Sequence, residues 1–174
     1  INIAFIGGSN AGKSSLINQL LEKPVLPVSA IASHQEFLIQ SIDDDQPHHL
    51  YLADPWLEQH QLCLNEKLPL DCTENEIQDI SHSLLETTDC VVLVVDALMP
   101  LKKIEILFLS ECANRSLPTF IVLSKVDKLT ETELEEVTTY LTKHTEGLFS
   151  ALNVIPTSTK DDRGVKQLKA ALQA

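Results

Sequence analysis

The chain has 174 residues, 44% hydrophobic and 22% charged, a globular composition of one-domain size that excludes a disordered chain. Its 13 basic and 25 acidic residues leave a formal net charge of −12, and only 5% of residues are aromatic. Such a chain repels phosphate backbones and lacks stacking platforms, so no nucleic-acid partner is expected. No apolar run approaches the roughly 18 residues of a membrane helix, and no signal peptide is visible. Cys63, Cys72, Cys90 and Cys112 show no C-x-x-C spacing, which points to reduced thiols in a cytoplasmic protein.

In chain order, Ile1–Ile6 is a short apolar strand pattern stopped by Gly7-Gly8. Ile1 already lies inside that run, so the chain reads as a fragment of something longer. Leu16, Ile17, Leu20 and Leu21 predict a helix over Lys13–Leu21, and Pro24 and Pro27 enforce a loop. Glu36–Ile42 and His49–Ala53 read as strands around the polar turn Asp43-Asp44-Asp45-Gln46-Pro47, a hairpin signal. Ile77, Ile80 and Leu84 predict a helix capped at Thr73, and Cys90–Val95 a buried strand. Ile104, Leu107 and Phe108 mark another helix, and Thr119–Leu123 another strand. Leu134, Val137 and Leu141 share one face of a helix starting near Thr130 or Thr132, with glutamates in its first turn. A strand at Val154–Thr157 and a helix through Val165, Leu168 and Leu172 complete the chain. Six strands alternating with helices predict an α/β fold over residues 1–174, one domain whose mostly parallel sheet is covered on both faces.

The octet Gly7-Gly8-Ser9-Asn10-Ala11-Gly12-Lys13-Ser14 fits G-x-x-x-x-G-K-[ST] between a predicted strand and a predicted helix. Phosphate binding needs consecutive backbone N–H groups lining a concavity that side chains do not block. Gly8, Ser9, Asn10, Ala11, Gly12, Lys13, Ser14 and Ser15 are therefore the candidate phosphate site. Lys13 would reach the β- and γ-phosphates and Ser14 would ligate Mg²⁺. Downstream, Ser124-Lys125-Val126-Asp127 follows a strand and resembles the [NT]-K-x-D motif of GTPases. There an aspartate accepts two hydrogen bonds from guanine that adenine does not offer, so Asp127 is the candidate base discriminator. Ser158-Thr159-Lys160, after the last predicted strand, resembles the S-A-K element that touches guanine O6.

With Ser15-Leu16-Ile17-Asn18 after it, the octet resembles the translation-factor-related P-loop GTPases. The segments Leu20–Val28 and Asp89–Glu105 are similar to the dynamin-like branch. The resemblance covers the GTPase core and implies a Ras-like G domain, with GTP or GDP and Mg²⁺ as ligands. It also implies homodimerisation across the nucleotide face and a peripheral membrane link through regions outside these residues. In that family a switch I threonine ligates Mg²⁺, and the aligned residue is Ser33, with Ser29 as the alternative. Switch II begins with an aspartate in D-x-x-G, and Asp54 takes that place by following a predicted strand. No glycine follows it at the expected spacing, and the glycine's N–H is what senses the γ-phosphate. Where dynamin-like enzymes often carry a catalytic glutamine the chain has Ser9, which joins Lys13 as a candidate catalytic residue. Slow hydrolysis of GTP is therefore expected. A non-catalytic scaffold is the alternative, and a P-loop ATPase using Asp96 for the metal is a further one. Trp56 is expected to be a switch residue or a partner-binding anchor.

Overall fold

The structure is a computed structural model, described here for residues 1–8, 11–28, 36–41, 44–46, 49–67, 70, 72–149, 153–158 and 160–173. Its strands are β1 (Asn2–Gly7), β2 (Phe37–Gln40), β3 (His49–Tyr51), β4 (Cys63–Glu66), β5 (Cys90–Asp96), β6 (Thr119–Ser124) and β7 (Asn153–Pro156). The helices are α1 (Lys13–Leu21), α2 (Pro55–His60), α3 (Ile77–Leu85), α4 (Lys103–Asn114), α5 (Glu131–His144) and α6 (Val165–Leu172). The seven strands form one sheet in the order β3-β2-β4-β1-β5-β6-β7. Strands β4, β1, β5, β6 and β7 are mutually parallel. This is the expected α/β Ras-like architecture, with one strand more than the six read from the sequence.

Each central strand buries both of its faces. Because side chains alternate along a strand, Ile3 and Phe5 of β1 enter one core with Leu16, Ile17 and Leu20 of α1, Leu57 of α2 and Leu168 of α6. Ala4 and Ile6 enter the other core with Phe108 and Leu109 of α4, Ile77 and Leu85 of α3, and Leu134 and Leu141 of α5. Two-sided burial explains why β5 reads as the unbroken apolar run Val91–Val95 rather than as an alternating one.

Caps set the helix starts. Thr130 Oγ1 accepts from Glu133 N (3.2 Å), while the Glu133 carboxylate accepts from Thr130 N (3.1 Å), a reciprocal cap that begins α5 at Glu131. The Glu76 carboxylate accepts from the Thr73 hydroxyl (2.6 Å), and a short 3₁₀ turn at Glu74–Glu76 then leads into α3. No helix among the described residues is long and apolar enough to cross a membrane.

Two expectations fail on the β3 side of the sheet. β2 and β3 do not form a hairpin: they are parallel, with Leu38 opposite His49 and Gln40 opposite Tyr51. The antiparallel partner of β2 is β4, with Phe37 opposite Glu66 and Ile39 opposite Leu64. The polar stretch still turns the chain, with Asp45 in the left-handed region and Asp44 accepting from Gln46 N. It leads β3 back along the outer edge of β2, and α2 then returns the chain to β4. Strand β4 and helix α2 lie in a stretch that the sequence pattern left unassigned.

Candidate functional site

The carboxyl ends of β1, β4, β5, β6 and β7 lie at one end of the sheet, the usual place for a ligand crevice in this class of fold. The loop after β1 turns into α1 through Gly12, whose φ of 102° is a left-handed conformation that favours glycine. Lys13 is buried, and its Nζ donates to the carbonyls of Gly7 (3.0 Å) and Gly8 (3.2 Å). The ammonium is thus held along the inside of the loop, at the positive end of α1. Ser14 and Ser15 occupy the first turn of α1. Gly8, Ala11, Gly12, Lys13, Ser14 and Ser15 are thereby brought to one place, while Ser9 and Asn10 lie outside the described residues.

Beside the loop stands Glu66, the last residue of β4. It pairs in register with Phe5 of β1, which brings its carboxylate to α1: Ser14 Oγ donates to Glu66 Oε1 at 2.7 Å. Glu66 is only 6% exposed, and its Oε2 has no hydrogen-bond partner among the described residues. Burial raises the Glu66 carboxyl above the ordinary carboxylate range, against the opposing pull of the Ser14 hydrogen bond and the Lys13 charge. Burial likewise lowers Lys13, with Glu66 pulling it back up. A buried carboxylate oxygen without a partner is costly. Ser14 and Glu66 together are an all-oxygen donor pair of the kind a hard cation takes, so these residues fit the Mg²⁺ that a bound nucleoside phosphate carries.

Asp54 is not at this site. It follows β3, which runs with β2 and therefore against β4 and β1, so it lies at the opposite end of the sheet. Its Oδ1 accepts from the N–H groups of Trp56 (2.9 Å) and Leu57 (3.2 Å), capping α2. The ammonium of Ile1 donates to Gln61 O just beyond that helix, at 2.8 Å, which marks this as the end where β1 begins. Trp56 is buried here and is not a switch residue. Its Nε1 donates to Gln173 Oε1 (3.1 Å), and Lys169 Nζ sits 4.9 Å from the ring centroid. The acidic residue that fills the expected place of Asp54 is Glu66, which closes a four-residue strand. An alternating Leu62–Glu66 pattern ending on an acid was the only sequence signal for it. Ser33 and Ser29 lie outside the described residues.

The Ser124–Asp127 segment, the candidate for base recognition, is tied directly to the loop after β1. The buried Ser124 hydroxyl donates to Ala11 O at 2.6 Å, so the end of β6 and the loop after β1 are held as one unit. Lys125 takes a left-handed backbone (φ 62°), and its Nζ pairs with Asp96 Oδ2 at 2.9 Å. That pairing engages Asp96 with Lys125 rather than with the phosphate loop. Val126 N donates to Thr157 O, joining the segment to the residues after β7. Asp127 Oδ1 accepts from Ser158 Oγ at 3.0 Å, and Lys160 Nζ lies 3.6 Å from Oδ2. The Ser158 hydrogen bond is the main reason the Asp127 carboxyl sits below its ordinary range. Ser124, Lys125, Asp127, Ser158 and Lys160 therefore converge, and Thr159 lies outside the described residues. Gln19 of α1 donates to Ser158 O at 3.0 Å and closes the circuit back to the phosphate-loop helix.

Comparison with known proteins shows the family. The family described as "50S ribosome-binding GTPase" matches residues 2–125. A probable GTP-binding protein EngB of Phocaeicola vulgatus is 32% identical over 144 residues, covering 82% of this chain and 70% of the relative. Among solved structures, a bacterial dynamin of an oligomerised, membrane-tethering pair matches with a TM-score of 0.78 at 17% identity. That match covers 99% of this chain and 37% of the dynamin chain. Era solved with MgGDPNP and a 16S ribosomal RNA segment matches with a TM-score of 0.70 at 16% identity, covering 99% of this chain and 55% of Era. The dynamin likeness is one of fold, whereas the likeness in sequence is to EngB and Era. The chain belongs to the 50S ribosome-binding GTPase family and carries its GTP-binding G domain.

Proposed function

We propose that this domain binds GTP and GDP with Mg²⁺ and hydrolyses GTP slowly. The observation that carries the reading is the Ser124–Ala11 hydrogen bond, because it holds Asp127 at a constant distance from the phosphate loop. A nucleotide whose phosphates lie in the loop would then present its base to the Asp127 carboxylate. Guanine has the two donors that this carboxylate needs and adenine lacks them, which supports GTP over ATP.

Ser14 and Glu66 are the described residues that would hold the metal, and Ser33 is the further candidate. Bound Mg²⁺ neutralises charge on the phosphates. Lys13 supplies the fixed positive charge that orients them, and the Ser158 hydroxyl orients the Asp127 carboxylate by its hydrogen bond. With Glu66 as the first residue of the switch II motif, the fourth position is Pro69. Proline has no N–H to offer a γ-phosphate, and together with Ser9 in place of a glutamine this supports slow turnover.

The dynamin-like fold supports homodimerisation across the nucleotide face and a membrane link through other regions. The family description supports a ribosomal partner instead, and the Era–RNA complex weighs against excluding nucleic acid on charge alone. Thiol usage supports a cytoplasmic setting. The deciding experiment titrates the protein with labelled GTP, GDP and ATP and then follows phosphate release. Tight GTP and GDP, weak ATP and turnover on the order of 10⁻⁴ to 10⁻³ s⁻¹ are expected. Comparable affinity for ATP would overturn the guanine reading.

A further inference from the structure

Lys102 stands at the phosphate loop from a different element than Lys13. A Cβ placed on Gly8 would lie 3.7 Å from Lys102 Nζ, so the ammonium stands beside the loop at Gly8. Nearby structure fixes this position. Leu101 is buried with a left-handed φ of 48°, which turns the chain sharply into α4. The carboxylate of the buried Glu105 then accepts from Lys102 N at 2.8 Å. With its backbone so anchored, the Lys102 side chain is exposed, and it is in none of the carboxylate ion pairs among the described residues. Its charge helps keep Glu105 ionised against burial. Asp96, which stands near the same carboxylate, is already paired with Lys125 at 2.9 Å.

Beyond Lys13, the family reads the terminal phosphate through a switch II N–H. With Glu66 read as the start of switch II, the sequence has Pro69, which carries no N–H, at the position of the glycine that senses the γ-phosphate in the family. A lysine ammonium binds phosphate as a mobile point charge and needs no backbone donor.

We propose that Lys102 is a phosphate-contacting residue that distinguishes the nucleoside triphosphate from the diphosphate, taking over from the missing switch II N–H. This rests on the guanine-nucleotide reading above. The triphosphate carries more negative charge at the end of the chain of phosphates, so a cation at the rim of the loop favours it over the diphosphate.

The test measures equilibrium binding of fluorescent GDP and of a fluorescent non-hydrolysable GTP analogue, both with Mg²⁺, to wild type, Lys102→Ala, Lys102→Arg and Lys13→Ala. Lys102→Ala should weaken the triphosphate analogue by about fivefold or more and GDP by less than about twofold, with the difference shrinking as salt is raised. Lys102→Arg should restore the preference. Lys102→Arg keeps the charge beside Glu105 and should leave the melting temperature unchanged. Equal effects on both nucleotides, or none, would overturn the role of Lys102 while leaving the nucleotide site intact. Failure of wild type to bind either nucleotide, or undiminished binding by Lys13→Ala, would instead remove the underlying reading and this inference with it.

Discussion

Glu66 and Asp54 are both acids at the ends of short strands, and substituting each in turn separates the proposed metal ligand from the helix cap. Glu66→Gln keeps a neutral acceptor within reach of the Ser14 hydroxyl, now 2.7 Å from Oε1, but removes the charge. Losing the charge-assisted part of one hydrogen bond costs about 1 kcal/mol. Removing a buried charge, one of whose oxygens has no partner among the described residues, offsets it. Folding stability should therefore move by no more than about 1 kcal/mol. Affinity for Mg²⁺ in the presence of GDP should fall about 10- to 100-fold, the range seen when a group that orients or holds a metal is removed. Asp54→Ala should do the reverse. It deletes the acceptor of two N–H groups at 2.9 and 3.2 Å, a helix cap worth about 1 kcal/mol, and lowers the melting temperature by about 2–4 °C in a chain of this size. Nucleotide binding should not change, because Asp54 lies at the far end of the sheet. Urea melts report the first quantity, and Mg²⁺ titrations of fluorescent GDP binding report the second. Loss of the Mg²⁺ dependence in Asp54→Ala, with Glu66→Gln unaffected, would refute the strand-direction argument.

Asp127→Ala should erase the preference for GTP over ATP, measured by competition, because the variant no longer offers the acceptor pair that only guanine satisfies. Ser124→Ala removes a buried hydrogen bond of 2.6 Å to the phosphate loop and should weaken GTP and GDP alike, at about 1 kcal/mol by titration calorimetry. At Gly164 the φ of 76° and the Pro156 carbonyl oxygen, which a Cβ would overlap, make Gly164→Ala destabilising by more than about 2 kcal/mol in denaturant melts. Burial pushes the Cys90 thiol up to about 11 and the Cys112 thiol to about 12. At pH 8 less than about one part in a thousand of either is thiolate, so both should react with an alkylating reagent only slowly until the protein is unfolded, as peptide mass mapping would show.

The phosphate loop and the Ser124–Asp127 segment were legible from the sequence because their chemistry is local. Consecutive residues supply the backbone cradle, and a strand immediately before each one carries it to the edge of the sheet. The apolar runs behind β1, β5 and β6 announced central parallel strands for the same reason, since two-sided burial leaves a mark in every residue. The acid beside the phosphate loop was not legible. Asp54 and Glu66 both stand at the ends of short strands, and a period-two pattern tells which residues share a face but not which way the strand runs. That was decided by pairing: β2 joins β4 antiparallel while β3 runs alongside β2, so the carboxyl end of β3 faces away from the loop and that of β4 faces it. Lys102 depends on tertiary structure in the same manner. Nothing local joins it to Gly8, and only the packing of β5 beside β1, with the turn at Leu101, carries its ammonium to the loop.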